Sequence, residues 1–279
     1  MPLFRHRMNR VRKHVAAALL AACCASAGAF DPVTDMAVLY SSQVDRTLIV
    51  ESADARLYVR LAEEALAGAG ITPASAQYLV VVDRDPNIQA LFLLFRPAEG
   101  LAQLVGASPV STGRPGSFDH FETPLGVFEH TLGNPDFRAE GTPNSQGIRG
   151  YGARGMRVYD FGWQQVARGW GKGGVSAMRL QMHATDPDLL ERRLGSAQSK
   201  GCIRIPASLN RLMDHYGLLD ADYEQALRDG RTVWVLDPRR EPVPFPGRYL
   251  IVVESGRQGR PDWSPAPSLP HRKPAPPVR

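Results

Sequence analysis

Residues 77–95, "QYLVVVDRDPNIQALFLLF", constrain the fold of this 279-residue chain more than any other stretch. Two β-rich apolar runs flank "DRDPN", a cluster of turn-forming residues, and that order predicts an antiparallel hairpin. "DRDPN" also imitates the opening of a calcium loop, but the glycine and closing glutamate of such a loop are missing, so the turn reading is kept.

The same period recurs downstream. "LAQLVGASPVS", "GVFEHTL", "MRVYDFGWQQVA", "VSAMRLQMHA", "RTVWVLD" and "RYLIVVES" read as strands joined by Gly- and Pro-rich connections. Three stretches read as helices. Residues 52–69 set Leu57, Leu61, Ala65 and Leu66 at near-helical spacing, Pro206 opens "ASLNRLMDHYG", and "DADYEQALRDG" has acidic residues early and a glycine at its end. The expected class is mostly β with added α. The expected organisation is a helical segment over 30–76, a main domain over 77–255, and a basic, Pro-rich tail over 256–279 without apolar periodicity, expected to be disordered.

The first 29 residues carry Arg5, Arg7, Arg10, Arg12 and Lys13 ahead of "VAAALLAACCASAGA", the pattern of a signal peptide cut before Phe30. The second reading is a lipoprotein signal, with "LAAC" ending at a lipidated Cys23. Either predicts export to the periplasm or cell envelope, and no later segment is apolar enough to span a membrane. Removing residues 1–29 takes away five of the 33 Lys+Arg and none of the 28 Asp+Glu, so 28 of each remain. The high isoelectric point therefore gives no reason to expect nucleic acid as a partner, and no nucleic-acid motif is present.

Cys23 and Cys24 leave with that segment, which makes Cys202 the single remaining cysteine. It can form no intramolecular disulfide, so a catalytic thiol competes with the plainer reading of a small buried hydrophobe. A thiol attacks as the thiolate, which needs nearby positive charge or a base. Lys200 and Arg204 are the nearby cations: an ammonium at 200 is able to lower the Cys202 pKa, and a solvated surface place stands as an equal reading for both side chains against substrate contact. Among His120, His130, His183 and His215, His183 is favoured as base because it ends a strand and enters the loop leading to Cys202. His120 lies in a loop, whereas His130 and His215 read as structural. Trp163 and Trp170 read as hairpin packing first and as cleft walls second.

These residues carry a resemblance. "MHATDPDLLERRLGSAQSKGCIRI" is similar to the signature of the YkuD-type L,D-transpeptidases, in which a histidine precedes a Ser-His-Gly-Cys-hydrophobic-Arg/Asn segment. Eighteen residues separate His183 from Cys202. Upstream, "LVGASPVSTGRPGSFDHFETPLGVFEH" resembles that family's strand ending in Ser-Thr-Gly followed by a Thr-Pro-x-Gly-x-Phe turn, with Thr123, Pro124, Gly126 and Phe128 in place. Two positions depart from the pattern: Ala184 stands for the glycine whose carbonyl orients the imidazole, and Lys200 for a second histidine.

The resemblance implies a β-sandwich catalytic domain acting on bacterial peptidoglycan. It assigns Cys202 as the nucleophile on tetrapeptide stems and His183 as the proton carrier, with 3-3 cross-links formed through a thioester. Ser199 is expected to brace the turn or orient the imidazole, Gly201 to permit close backbone approach, and Arg204 to hold a substrate carboxylate or the loop. The implied partners are donor and acceptor stem peptides, or a wall-attached protein as acceptor. The alternatives are an L,D-carboxypeptidase, in which water takes the thioester, and a catalytically decayed wall-binding protein. No cofactor or metal is expected. "GWGKGG" matches a dinucleotide-binding glycine pattern but leads into a strand rather than opening a helix, and the histidines are scattered.

Overall fold

A computed structural model describes residues 30–264 and Pro267, and the described chain from Pro32 onward forms one compact unit. The expected signal peptide and Cys23 lie outside the described residues, as does most of the tail after Ser264. No described helix is long and apolar enough to cross a membrane.

The predicted hairpin is the centre of the first sheet. Strand β1 (Gln77–Asp83) pairs antiparallel with β2 (Ala90–Arg96) in the register Gln77↔Arg96 to Asp83↔Ala90, around the 84–89 turn. The sheet is completed by β3 (Gln103–Pro109), β4 (Gly126–Glu129) and the C-terminal β9 (Tyr249–Val253), in the order β3-β2-β1-β9-β4. Because β1 is central and covered on both faces, all seven of its residues are buried. One face carries Leu79, Val81, Phe92 and Leu94 against helix α2 (Ser52–Gly68), which contributes Tyr58, Val59, Ala62 and Leu66. A shorter helix, α1 (Thr34–Gln43), lies on β3 inside the segment expected to be helical; its own bounds were not predicted, because its apolar residues show no clear helical stripe.

The second sheet holds β5 (Phe137–Arg138), β6 (Arg157–Ala167), β7 (Val175–Ala184) and β8 (Ile203–Ile205) in that order. "GWGKGG" is the tip of the β6–β7 hairpin, closed by Arg168 N–H donating to the Gly174 carbonyl. Helix α3 (Ala207–Tyr216) follows Pro206 and packs on β6 and β7, and α4 (Ala221–Arg228) follows Asp220. Two sheets with added helices make the fold mostly β, a β-sandwich with some α, as expected.

Two local expectations change. "RTVWVLD" is not a strand: the Val235 carbonyl accepts the Arg138 Nε at 2.9 Å, and a turn joins Leu236 N–H to the Val233 carbonyl. A side chain thus takes the acceptor that a ladder would have used. Secondly, the chain stays ordered past Gly256, because Trp263 is buried among Tyr58, Phe92 and their neighbours and its indole N–H donates to Asp54. One large aromatic ring supplies the apolar anchor that the segment's Pro-rich composition concealed.

A buried charged cluster ties the second sheet to the helices behind it. Arg157, fully buried, makes a fork to Asp220 at 2.8 and 2.7 Å and meets Asp136 at 2.6 Å. His130 Nε2 joins Asp136 at 2.9 Å, its Nδ1 donates to the Leu219 carbonyl, and its ring stacks on Tyr223. His130 is therefore structural, as its place in the sequence suggested.

Candidate active site

Three neighbouring segments build the site. Strands β7 and β8 run parallel with Met182↔Ile203 and His183↔Arg204 as partners. On the other side of β8 the chain leaving β3 takes the next place: Ser111 and Arg204 exchange backbone hydrogen bonds of 3.0 and 2.9 Å, and Ser199 N–H donates to the Thr112 carbonyl. The Ser-Thr-Gly stretch recognised in the sequence is this third segment.

Strand alternation then sorts the side chains. Arg179, Gln181 and His183 share one face of β7, and the register puts Cys202 and Arg204 on that same face, with His183 beside Arg204 and diagonal to Cys202. The opposite face of β7 carries Met178, Leu180 and Met182, all buried. The polar stripe was legible in "MRLQMHA", where every second residue is polar, yet only His183 was drawn from it.

His183 is 4 % exposed, and its Nδ1 lies 2.7 Å from the Ala184 carbonyl oxygen. A carbonyl can only accept, so Nδ1 carries the proton and Nε2 holds the free lone pair. Burial pushes the imidazole pKa down to about 4, with the Arg204 charge acting in the same direction, so the ring is neutral near pH 7. Alanine at 184 thus still orients the imidazole through its carbonyl. Its methyl is accommodated by Gly152, at which a Cβ would come within 2.8 Å of the Ala184 Cβ.

Cys202 is partly exposed, and its thiol faces the Arg179 carbonyl at 3.7 Å. Burial raises its pKa above the ordinary thiol value, while the Gln181 amide and the Arg204 charge pull the other way. Lys200 does not activate it: the ammonium is exposed and paired with Asp119 at 3.1 Å. Of the two readings kept for Lys200, the solvated one describes its side chain, which leaves the turn toward solvent and Asp119.

The turn before Cys202 is tightly held. Ser199 Oγ donates to the Cys202 carbonyl at 2.5 Å and accepts the Gly201 N–H at 3.0 Å, and Thr123 Oγ1 donates to the Gly201 carbonyl at 2.7 Å. Ser199 braces the turn, and Thr123 fastens the upstream motif to it. Gly201 has φ +136°, and a Cβ there would meet Met178 Cε and Sδ at 2.8 Å and Phe121 Cβ at 3.3 Å. Arg204 stands partly buried beside the thiol and forms no side-chain ion pair among the described residues.

Four residues missed in the sequence complete the site. Tyr151 packs edge-on against the His183 ring at 4.7 Å, and its hydroxyl donates to Gln181 Oε1 at 3.1 Å. Gln181 Nε2 and Arg179 Nε both donate to Asp160 Oδ2, at 2.8 and 2.7 Å. Tyr151 reaches the site from a loop without periodicity, so nothing in its neighbours marked it. Trp163 is 64 % exposed with the Arg179 guanidinium over its ring, and Trp170 packs on Phe121 beside the Gly201 turn. A cavity of about 290 Å³ shares Tyr151 with the site and is lined also by Phe137, Glu140 and Thr142.

Comparison with known proteins adds little. No family model matches the chain, and no curated protein shows significant sequence similarity to it. Among solved structures the chain is similar to a fused Zn-dependent amidase/peptidase/peptidoglycan-binding domain-containing protein from Clostridium acetobutylicum ATCC 824, with 12% identity and a TM-score of 0.29. That match covers 74% of this chain and 64% of the other, less than two thirds of its length, and a likeness this distant carries no argument about fold or activity.

Proposed function

We propose that this protein is an exported L,D-transpeptidase that works on peptidoglycan tetrapeptide stems through a Cys202 thioester. The observation that carries the reading is one face of two parallel strands holding a partly exposed thiol diagonal to a neutral, Nδ1-protonated histidine. The paired motifs recognised in the sequence supply the substrate class.

The raised thiol and the neutral imidazole favour general-base attack over a preformed thiolate–imidazolium pair. The Cys202 side chain turns from the Arg179 carbonyl to His183, and Nε2 takes the thiol proton as Sγ adds to the carbonyl carbon of the third stem residue. Ser199 Oγ already occupies the Gly201 N–H, which leaves the Cys202 amide as the donor for the developing oxyanion. The intermediate collapses as the C–N bond breaks, and the departing D-alanine amine takes the proton from His183. An acceptor amine then adds to the thioester, His183 removes its extra proton, and the thiol leaves reprotonated.

The test is intact-protein mass after incubating the mature protein, and its Cys202→Ala variant, with a carbapenem, the drug class that acylates the family of the resemblance. A one-to-one adduct lost in the variant supports the reading. No adduct on a folded protein with reduced, accessible Cys202 removes it in favour of a wall-binding role. Products from tetrapeptide muropeptides then separate cross-linking, which gives a dimer, from hydrolysis, which gives a trimmed tripeptide.

A further inference from the structure

Strand β6 breaks its ladder with β7 between Asp160 and Trp163, and Gly162 takes φ +77° at the break. A bulge of this kind re-aims the side chain beside it. Here that side chain is Asp160, which is 1 % exposed and pairs with Gln181 across the ladder. Its Oδ1 accepts the Gly162 N–H at 2.9 Å, and its Oδ2 accepts Gln181 Nε2 at 2.8 Å and Arg179 Nε at 2.7 Å. The Asp160 N–H is itself held by Asp136 Oδ1 at 2.9 Å, so the buried Arg157 cluster anchors this carboxylate.

The network has a direction. A carboxylate paired with a guanidinium only accepts, and this fixes which end of the Gln181 amide faces Asp160. Nε2 turns to Asp160, and Oε1 is left for Tyr151, whose hydroxyl donates to it at 3.1 Å. The tethered Tyr151 ring then stands edge-on to His183, with centroids 4.7 Å apart and planes at 69°. The last torsion of a histidine side chain is broad, and one hydrogen bond at Nδ1 leaves the ring room to swing. Tyr151 closes one side of that swing.

We propose that Asp160, Gln181 and Tyr151 form a positioning relay that holds the His183 imidazole with Nε2 toward Cys202. Asp160 and Gln181 act only through Tyr151, so they are positioning residues rather than catalytic ones. The relay rests on the transpeptidase reading above for the reaction it serves, though not for its geometry. It also withdraws Tyr151 as a proton donor to substrate, because the hydroxyl proton faces Gln181.

Gln181→Glu tests the direction of the relay with little change of shape. Facing position 181 are Asp160 on β6, Arg179 and His183 on β7, Tyr151 from its loop, and Cys202 and Arg204 at β8. Two carboxyl groups at hydrogen-bond distance share one proton at low pH. The protonated glutamic acid donates to Asp160 and still accepts from Tyr151, as glutamine does; once ionised it has no proton for Asp160, and the relay opens. His183 stays neutral throughout, with its pKa at about 4.

The carbapenem acylation rate and the Hε1–Cε1 nuclear magnetic resonance signal of His183 are measured on the full mature protein. For Gln181→Glu the expected rate is within about threefold of the parent at pH 5 and about tenfold or more below it at pH 8, as a misaimed base requires. Its His183 signal should be single at pH 5 and broadened or doubled at pH 8. Tyr151→Phe keeps the ring and loses the tether, and should broaden the signal at both pH values. In Gln181→Glu, a rate ratio or a His183 signal that does not change between the two pH values overturns the relay, and so does a parent-like signal in Tyr151→Phe. The expected signal changes in a protein whose parent takes no carbapenem would leave the relay standing and remove the transpeptidase reading.

Discussion

The imidazole of His183 is locked by the next residue in the chain, its Nδ1 2.7 Å from the Ala184 carbonyl oxygen. A strand residue and its own successor thus set the tautomer, and no separate carboxylate is needed to do it. Burial then keeps the ring neutral, with its pKa down at about 4.

That arrangement makes stability depend on pH in a defined window. The pKa of His183 is lower folded than unfolded, where about 6.5 applies, so the unfolded chain binds the proton first. The stabilising contribution is complete above 6.5 and is lost as pH falls toward 4, by up to about 3 kcal/mol. Denaturant midpoints between pH 7 and pH 4 should fall in the parent and fall less in His183→Asn. Parallel slopes in the two proteins would refute the assignment.

The Cys202 thiol should be slow toward alkylation at neutral pH. Because burial raises its pKa, the iodoacetamide rate should keep rising through pH 9 rather than level off near pH 7. Lys200→Ala should leave that profile unchanged and alter stability by less than about 0.5 kcal/mol, since its pair with Asp119 is exposed on both sides. A plateau near neutrality, or a profile shifted by Lys200→Ala, would show that the thiolate is already stabilised.

Gly201→Ala should lose both folding stability and acylation. It combines a φ of +136° with contacts of 2.8 Å to Met178, so a cost of about 2 kcal/mol or more is expected. Ser199→Ala keeps the backbone but frees the Gly201 N–H and the Cys202 carbonyl, and should cost about 1–3 kcal/mol. Thermal unfolding together with the carbapenem acylation rate checks both. Parent-like behaviour of Ser199→Ala would mean that the turn holds without its brace.

Arg157→Met should be among the most damaging single changes outside the site. It strands Asp136 and Asp220 in the interior, a loss of about 3–5 kcal/mol for breaking a buried pair from one side. Urea midpoints measure it, and a loss below 1 kcal/mol would show that water enters the cluster.

Much of this was readable in one dimension because strands and turns leave local traces. The apolar runs around "DRDPN" specified the central hairpin, Pro206 marked the start of α3, and the two motifs singled out Cys202 and His183. A three-residue strand such as β8 and a two-residue one such as β5 leave too short a pattern to see, although β8 positions Cys202. "RTVWVLD" carried a strand pattern and lost it to the Arg138 guanidinium, a partner 97 positions away.

The sequence by itself determined a mostly β chain and a thiol–histidine pair, since alternation, turn residues and motif spacing are local properties. Only the tertiary structure decided where the cations lie. Lys200, two residues from Cys202, points to solvent and Asp119, whereas Arg193, nine residues away, shares Ser111 with Arg204. Charge acts through space and through burial, and both depend on contacts between segments far apart in the chain.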